Sequence, residues 1–306
     1  MSPRQLRAVA VGLAAVLLLW LASELLSKRS DRITASLGLP PVSDAAANRV
    51  TITRGADTAV LVKGADTAWT VNGYAASRQA VTELFAALRD STPAELAAES
   101  SGSFTRLGVD STGGRWIRVA GGGRTLVELI TGQNGPAFGT LYVRKPGDTR
   151  VFLWRGRPLP GPTRGVDEWR DRRIAGVEPD SVRALEIARG KERYALERRD
   201  RRWTSARRGP ADSAAVTRLL EHYRNVAAAG FATPRQADSL RARRPPWRRA
   251  TLRGPGGRLL LALAFDSTAA GIWVYRADGP AGTVYRIEPW SADQLTPAGQ
   301  TLAPKK

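Results

Sequence analysis

Apolar and polar positions alternate from Val50 to Arg54, and short β-prone runs follow at Ala59 to Lys63 and Ala68 to Val71. Gly55 and Gly64, each opening a Gly-Ala-Asp-Thr, separate these runs, so the pattern predicts a three-strand meander. The period then changes. Val81, Leu84, Phe85 and Leu88 fall at i, i+3, i+4 and i+7, the buried stripe of an amphipathic helix, with Ser77 as the expected N-cap. The same succession returns further along. Leu185–Arg189, Tyr194–Arg198 and Trp203–Ala206 predict a second meander, and Val216, Leu219, Leu220 and Tyr223 a second helix, with Ser213 as its expected cap. Each member of the second stripe lies 135 positions after its counterpart, and "WTVNGYAAS" and "WTSARRGPADS" introduce the two helices.

Beyond each helix further β-prone runs appear. Trp116–Val119 and Thr125–Ile130 precede the strand–turn–strand "LYVRKPGDTRVFLW" from Leu141 to Trp154. Ala250–Arg253 and Arg258–Ala264 precede "IWVYRADGPAGTVYRIEPW" from Ile272 to Trp290. Each half therefore reads as β-β-β-α followed by about four strands, and the pair as a tandem duplication of an α+β module.

A different pattern occupies the N-terminus. "AVAVGLAAVLLLWLASELL", Ala8 to Leu26, is apolar on every helical face and carries no charge before Glu24. As a helix it is roughly 28 Å long, close to the bilayer core. Its length exceeds a signal-peptide core, so it is expected to be retained as an anchor. Arg4 and Arg7 on one side are balanced by Lys28, Arg29 and Arg32 on the other. The short head before a large tail favours an extracytoplasmic bulk. The expected organisation is an anchor at 1–30, a linker at 31–48, modules at 49–165 and 166–295, and a tail at 296–306. The fold class follows as α+β, a transmembrane helix before two copies of a β-β-β-α-plus-hairpins module.

Composition narrows the chemistry. The chain has no cysteine, which excludes disulfides, thiolate metal sites and cysteine nucleophiles. Its formal charge is +19, with twenty-seven Lys/Arg against sixteen Asp/Glu over residues 166–306. Most of the cations are arginines scattered over turns and strand flanks, the pattern of a solvated basic surface rather than a nucleic-acid site.

Between the halves stands "VDEWRDRRIAGVEPDSVRALEI", Val166 to Ile187. An Arg-Asp-Arg-Arg-Ile stretch joining two Trp-containing β-β-β-α modules behind an N-terminal anchor resembles the domain of unknown function 4340 family. The resemblance covers nearly all of the chain beyond the anchor, through the order of its motifs. It implies an envelope protein linked with ABC-type transport systems of the gliding-motility auxiliary kind, with no assigned activity and no functional residues to carry over.

The search for catalytic chemistry yields no constellation. His222 is the only histidine, it lies beside the apolar stripe, and no nucleophile or orienting carboxylate is nominated near it. Asp167, Glu168 and Asp171 each have an arginine within four positions and are expected to pair with Arg170, Arg172 and Arg173. Gly121–Gly123 and Gly254–Gly257 complete no phosphate-loop motif and read as hairpin turns. No cofactor or metal is expected.

"RARRPPWRRATLRG", Arg241 to Gly254, sets Trp247 among Arg243, Arg244, Arg248 and Arg249, with Pro245 and Pro246 suggesting a rigid loop. These five residues form the candidate contact with a partner protein or anionic lipid. The expectation is a non-catalytic, membrane-anchored extracytoplasmic accessory or scaffold protein of a membrane transport complex. It would sit as a single-pass protein of the cytoplasmic membrane with a membrane-protein partner and no nucleic acid; oligomeric state is left open. The alternative is an extracytoplasmic ligand-binding or sensor protein with a site between the modules, for which Trp116, Trp154, Trp169 and Trp290 are the candidate lining.

Overall fold

A computed structural model of the protein describes residues 37–89, 94–160, 165–200, 202–205, 209–243, 245–279 and 282–304. The apolar run Ala8–Leu26 lies outside the described residues. Among the described residues no helix is long and apolar enough to cross a membrane. The chain is α+β, predominantly β, and divides into two compact units between Trp169 and Arg170.

The first unit contains β1 (Arg49–Arg54), β2 (Asp57–Lys63), β3 (Trp69–Val71), β4 (Tyr74–Ala75), α1 (Arg78–Arg89), β5 (Ala94–Ala98) and α2 (Phe104–Leu107). It continues with β6 (Arg115–Gly121), β7 (Arg124–Asn134), β8 (Leu141–Arg144) and β9 (Val151–Trp154). Among the described residues these strands form one sheet of nine in the order β4-β3-β2-β1-β6-β7-β8-β9-β5.

In the second unit come β10 (Arg173–Ala175), β11 (Ala184–Arg189), β12 (Glu192–Arg199), β13 (Arg202–Ser205), β14 (Gly209–Pro210), α3 (Ser213–His222), β15 (Val226–Ala227) and β16 (Gly230–Phe231). They are followed by α4 (Pro234–Ala242), β17 (Arg248–Arg253), β18 (Leu259–Thr268), β19 (Gly271–Arg276), β20 (Tyr285–Ile287) and α5 (Pro289–Leu295). Its sheet runs β14-β13-β12-β11-β17-β18-β19-β20-β16, and β10 pairs separately with β15. Strand for strand, the two nine-membered orders coincide. In both, the chain leaves one edge of the sheet, runs through the long helix, and returns as a short strand on the opposite edge.

Alternation along the strands decides which face is buried. Val50 and Ile52 of β1 point into the first core while Thr51 and Thr53 face outward, as Leu185 and Ile187 point into the second while Glu186 and Ala188 do not. The helix stripes close each core. Val81, Leu84, Phe85 and Leu88 are buried in one, Val216, Leu219, Leu220 and Tyr223 in the other. Ser77 does cap α1, its Oγ accepting from Ala80 N at 3.3 Å. At α3 the cap falls one residue earlier than expected: Asp212 Oδ1 accepts from Ala214 N and Ala215 N at 2.9 and 3.1 Å, and Ser213 is already helical. A carboxylate reaches two amides and carries a charge suited to the positive end of the helix, so it takes the position ahead of the neighbouring hydroxyl.

Both sheets also bury part of their second face. In the first unit Leu107 of α2, Val109, Ile130 and Val151 make a small cluster there, with Phe104, Trp116 and Tyr142 against it. In the second, Ala237 and Leu240 of α4 pack with Ala232, Ala264, Trp273, Tyr275 and Val284. The segment α4 thus covers the β18–β19 side of the outer face. The β11, β12 and β17 side is where the candidate site lies.

Candidate functional site

Pleat parity separates the predicted contact residues. Along β17, Leu252, Ala250 and Arg248 share the inward face, so Arg248 is only 6% exposed although its neighbour Arg249 is open to solvent. Arg248 Nη1 donates to Asp293 Oδ1 at 2.8 Å and to Thr296 Oγ1 at 3.0 Å. Asp293, on α5, also pairs with Arg189 at 3.1 Å. The hydrogen bond from Arg248 holds the Asp293 carboxyl below the usual carboxylate range. Arg248 therefore fastens the C-terminal helix to the sheet. Its guanidinium also lies 3.8 Å from the ring centre of Trp247, in cation–π contact.

The other predicted residues lie in different surroundings. Arg243 ends α4 and its Nη1 donates to Ser267 O at 3.5 Å. Arg244 lies outside the described residues. Trp247 is 38% exposed. Together with Arg249 it lines a cavity of about 920 Å³ on the outer face of the second sheet.

The cavity's floor follows from the strand register. Ala188 stands opposite Arg193 on β12 and opposite Arg249 on β17, giving a row Arg193–Ala188–Arg249. The next row is Ala195–Glu186–Thr251. Two alanines keep the floor low, and Pro245, Pro246 and Trp247 line the cavity above it. Trp247 O accepts from Gly190 N at 3.4 Å, which ties this segment to the β11–β12 turn. Gly190 has a φ of +58°, the left-handed conformation that the two-residue hairpin needs. Of the lining residues only Glu186 is acidic, and it pairs with Arg253 at 3.4 Å. The arrangement suits the holding of an anion. It does not supply a second carboxylate or a histidine for acid–base work.

Arg193, Glu186 and the two alanines were absent from the sequence-based candidates. They lie some fifty to sixty positions before Trp247, and only the antiparallel order β12-β11-β17 brings them beside it. The one available signal was the outward parity of Glu186 and Ala188 in a strand already recognised, since Arg249 lay outside the predicted Ala250–Arg253 run.

The remaining sequence candidates resolve individually. His222 is exposed at the end of α3. Glu168 Oε1 accepts from Gly165 N at 3.3 Å, and Asp171 Oδ1 from Arg173 N at 2.9 Å. Gly122 and Gly123, and Gly256 and Gly257, have positive φ in the β6–β7 and β17–β18 turns. Trp154 and Trp169 are buried in the first core, Trp116 is partly buried, and Trp290 is exposed on α5. Among the described residues no group of three or more His, Cys, Asp or Glu is placed to hold a metal ion.

Among known families, the one described as "Domain of unknown function (DUF4340)" matches residues 69–245. No curated protein and no solved structure matches the chain.

Proposed function

The chain belongs to the domain of unknown function 4340 family, and on that premise we propose that it is a membrane-anchored, extracytoplasmic accessory protein that scaffolds an ABC-type transport complex without catalysing a reaction. The observation that carries this reading is the doubled sheet. Two nine-stranded sheets of the same order, each with its own helix and core, are what a tandem duplication produces. A duplicated framework offers a partner two related surfaces. Its sheet edges add a means of contact: β5, at one end of the first sheet, has five residues whose outer side pairs with no strand among the described residues, and a partner strand can add there. The apolar run Ala8–Leu26 supports the membrane part of the proposal, through its length and the absence of charge before Glu24.

The test is a compartment-sensitive reporter fused after Lys306, with and without residues 1–30, followed by affinity capture of the intact protein from solubilised membranes. The proposal expects reporter activity only outside the cytoplasm and only with residues 1–30 present, together with co-purification of a transporter subunit. A cytoplasmic signal overturns the topology. Capture without any transport component overturns the scaffold role.

A further inference from the structure

The cavity beside Trp247 brings two arginines, Arg193 and Arg249, into one lining. Several other arginines meet acids: Arg118 with Glu128, Arg150 with Asp148, Arg155 with Glu95 and Arg276 with Asp278, all at 2.7–2.8 Å. Among the described residues Arg193 and Arg249 meet no carboxylate, and Glu186, the acid in the lining, is engaged by Arg253. The two arginines flank Ala188 in one cross-strand row, so their Cα atoms lie roughly 10 Å apart, two strand spacings. Between them is an alanine-floored gap, and the lining adds a tryptophan that keeps 38% of its surface open.

Each part of this lining selects ligand chemistry. A guanidinium recognises a carboxylate through two parallel N–H donors. Arg248 covers one face of the Trp247 indole, and the opposite face is the one that would accept the apolar face of a sugar ring, while Glu186 and Thr251 in the adjacent row offer hydroxyl partners. Alanine, glycine and proline supply most of the remaining lining, and no exposed Leu, Ile, Val or Phe is there to receive an acyl chain. The volume of about 920 Å³ lies within the range of small-molecule sites and holds one or two sugar rings. We propose that this cavity is a binding site for an acidic saccharide, with Arg193 and Arg249 holding carboxylates and Trp247 stacking on a ring. The site is contained in the second unit and is independent of the scaffold role proposed above.

The test uses the full chain in non-ionic detergent and isothermal titration with four probes: a galacturonate disaccharide, a neutral disaccharide of equal length, inorganic phosphate and a short Asp/Glu peptide. The uronate is expected to bind saturably, at least about tenfold more tightly than each other probe, and to weaken as salt is raised. Arg193→Gln, Arg249→Gln and Trp247→Ala are each expected to weaken it about tenfold or more. Ala188→Leu, which fills the gap without changing charge, should do the same. Arg258→Gln, an exposed cation outside the cavity, should not. Unchanged thermal midpoints show that these surface variants fold. Absence of uronate binding overturns the proposal, as does equal binding of the neutral sugar, the phosphate or the peptide. Arginine variants that leave the affinity unchanged overturn it too.

Discussion

Arg248 and Asp293 form an asymmetric pair: the cation is inside the protein, whereas the carboxylate side chain is 59% exposed. Removing either partner therefore leaves a different residue behind. Asp293→Ala strands a buried guanidinium with Thr296 as its remaining acceptor and should cost about 1–3 kcal/mol. Arg248→Met keeps the apolar stem and leaves Asp293 in water with Arg189, so it should cost less, within about 1 kcal/mol. Urea unfolding of the two variants gives the ranking, and the reverse order would refute this assignment of roles. The pH dependence has a definite sign. Asp293 titrates below its unfolded value of about 3.9, so its contribution is present above pH ~4 and disappears as pH falls through the folded pKa. The deficit of Asp293→Ala should therefore shrink in acid. Asp148 behaves alike: its hydrogen bonds with Arg150 lower its pKa to about 2, and Asp148→Asn should flatten the stability profile between pH ~4 and ~2.

Helix starts and strand crossings carry their own costs. Asp212→Ala removes two cap hydrogen bonds from α3 and Ser77→Ala one longer bond from α1, so both should destabilise by about 1 kcal/mol, the aspartate more. In β7, a Cβ on Gly132 would stand 2.3 Å from Leu107 O and 2.6 Å from Val109 Cγ1. Gly132→Ala should thus cost about 1–3 kcal/mol in chemical denaturation, and a neutral result would mean that the α2 segment yields freely. These elements also show what the chain discloses by itself. Both long helices are legible because each buries one face, which imposes a period of 3.6, and the meanders and hairpins because β-prone runs flank Gly/Asp turns. The β5 strand "AELAA" is not, since its residues favour helix and only pairing with β9 makes it extended. Nor was α4, "PRQADSLRA", whose buried positions are just Ala237 and Leu240. The start of β17 was hidden for a related reason. Pro245 and Pro246 suggested that Arg248 and Arg249 continued a loop, and parity became informative only once β17 was extended back to Arg248. Hence Trp247 and Arg249 were found from the sequence, while the burial of Arg248 and the approach of Arg193 were not.

At the scale of the molecule, the repeated strand order has a thermodynamic consequence. One hydrophobic core draws on residues from Leu37 to Trp169 and the other on residues from Ile174 to Leu302, with no residue shared. Cooperativity in folding arises from shared burial, so two self-contained cores should melt as two units. Leu84 and Leu219 occupy equivalent places in α1 and α3 and are both fully buried. Truncating either to alanine removes about 2–5 kcal/mol from the core that contains it. Calorimetry of Leu84→Ala is expected to lower one transition and leave the other in place, and Leu219→Ala the converse. If either substitution moves both transitions together, the two sheets fold as one cooperative body and the duplication has lost its thermodynamic independence. The same experiment bears on the Trp247 cavity, which lies in the second unit. A uronate ligand should raise only the transition that Leu219→Ala lowers, because a ligand stabilises the unit that binds it.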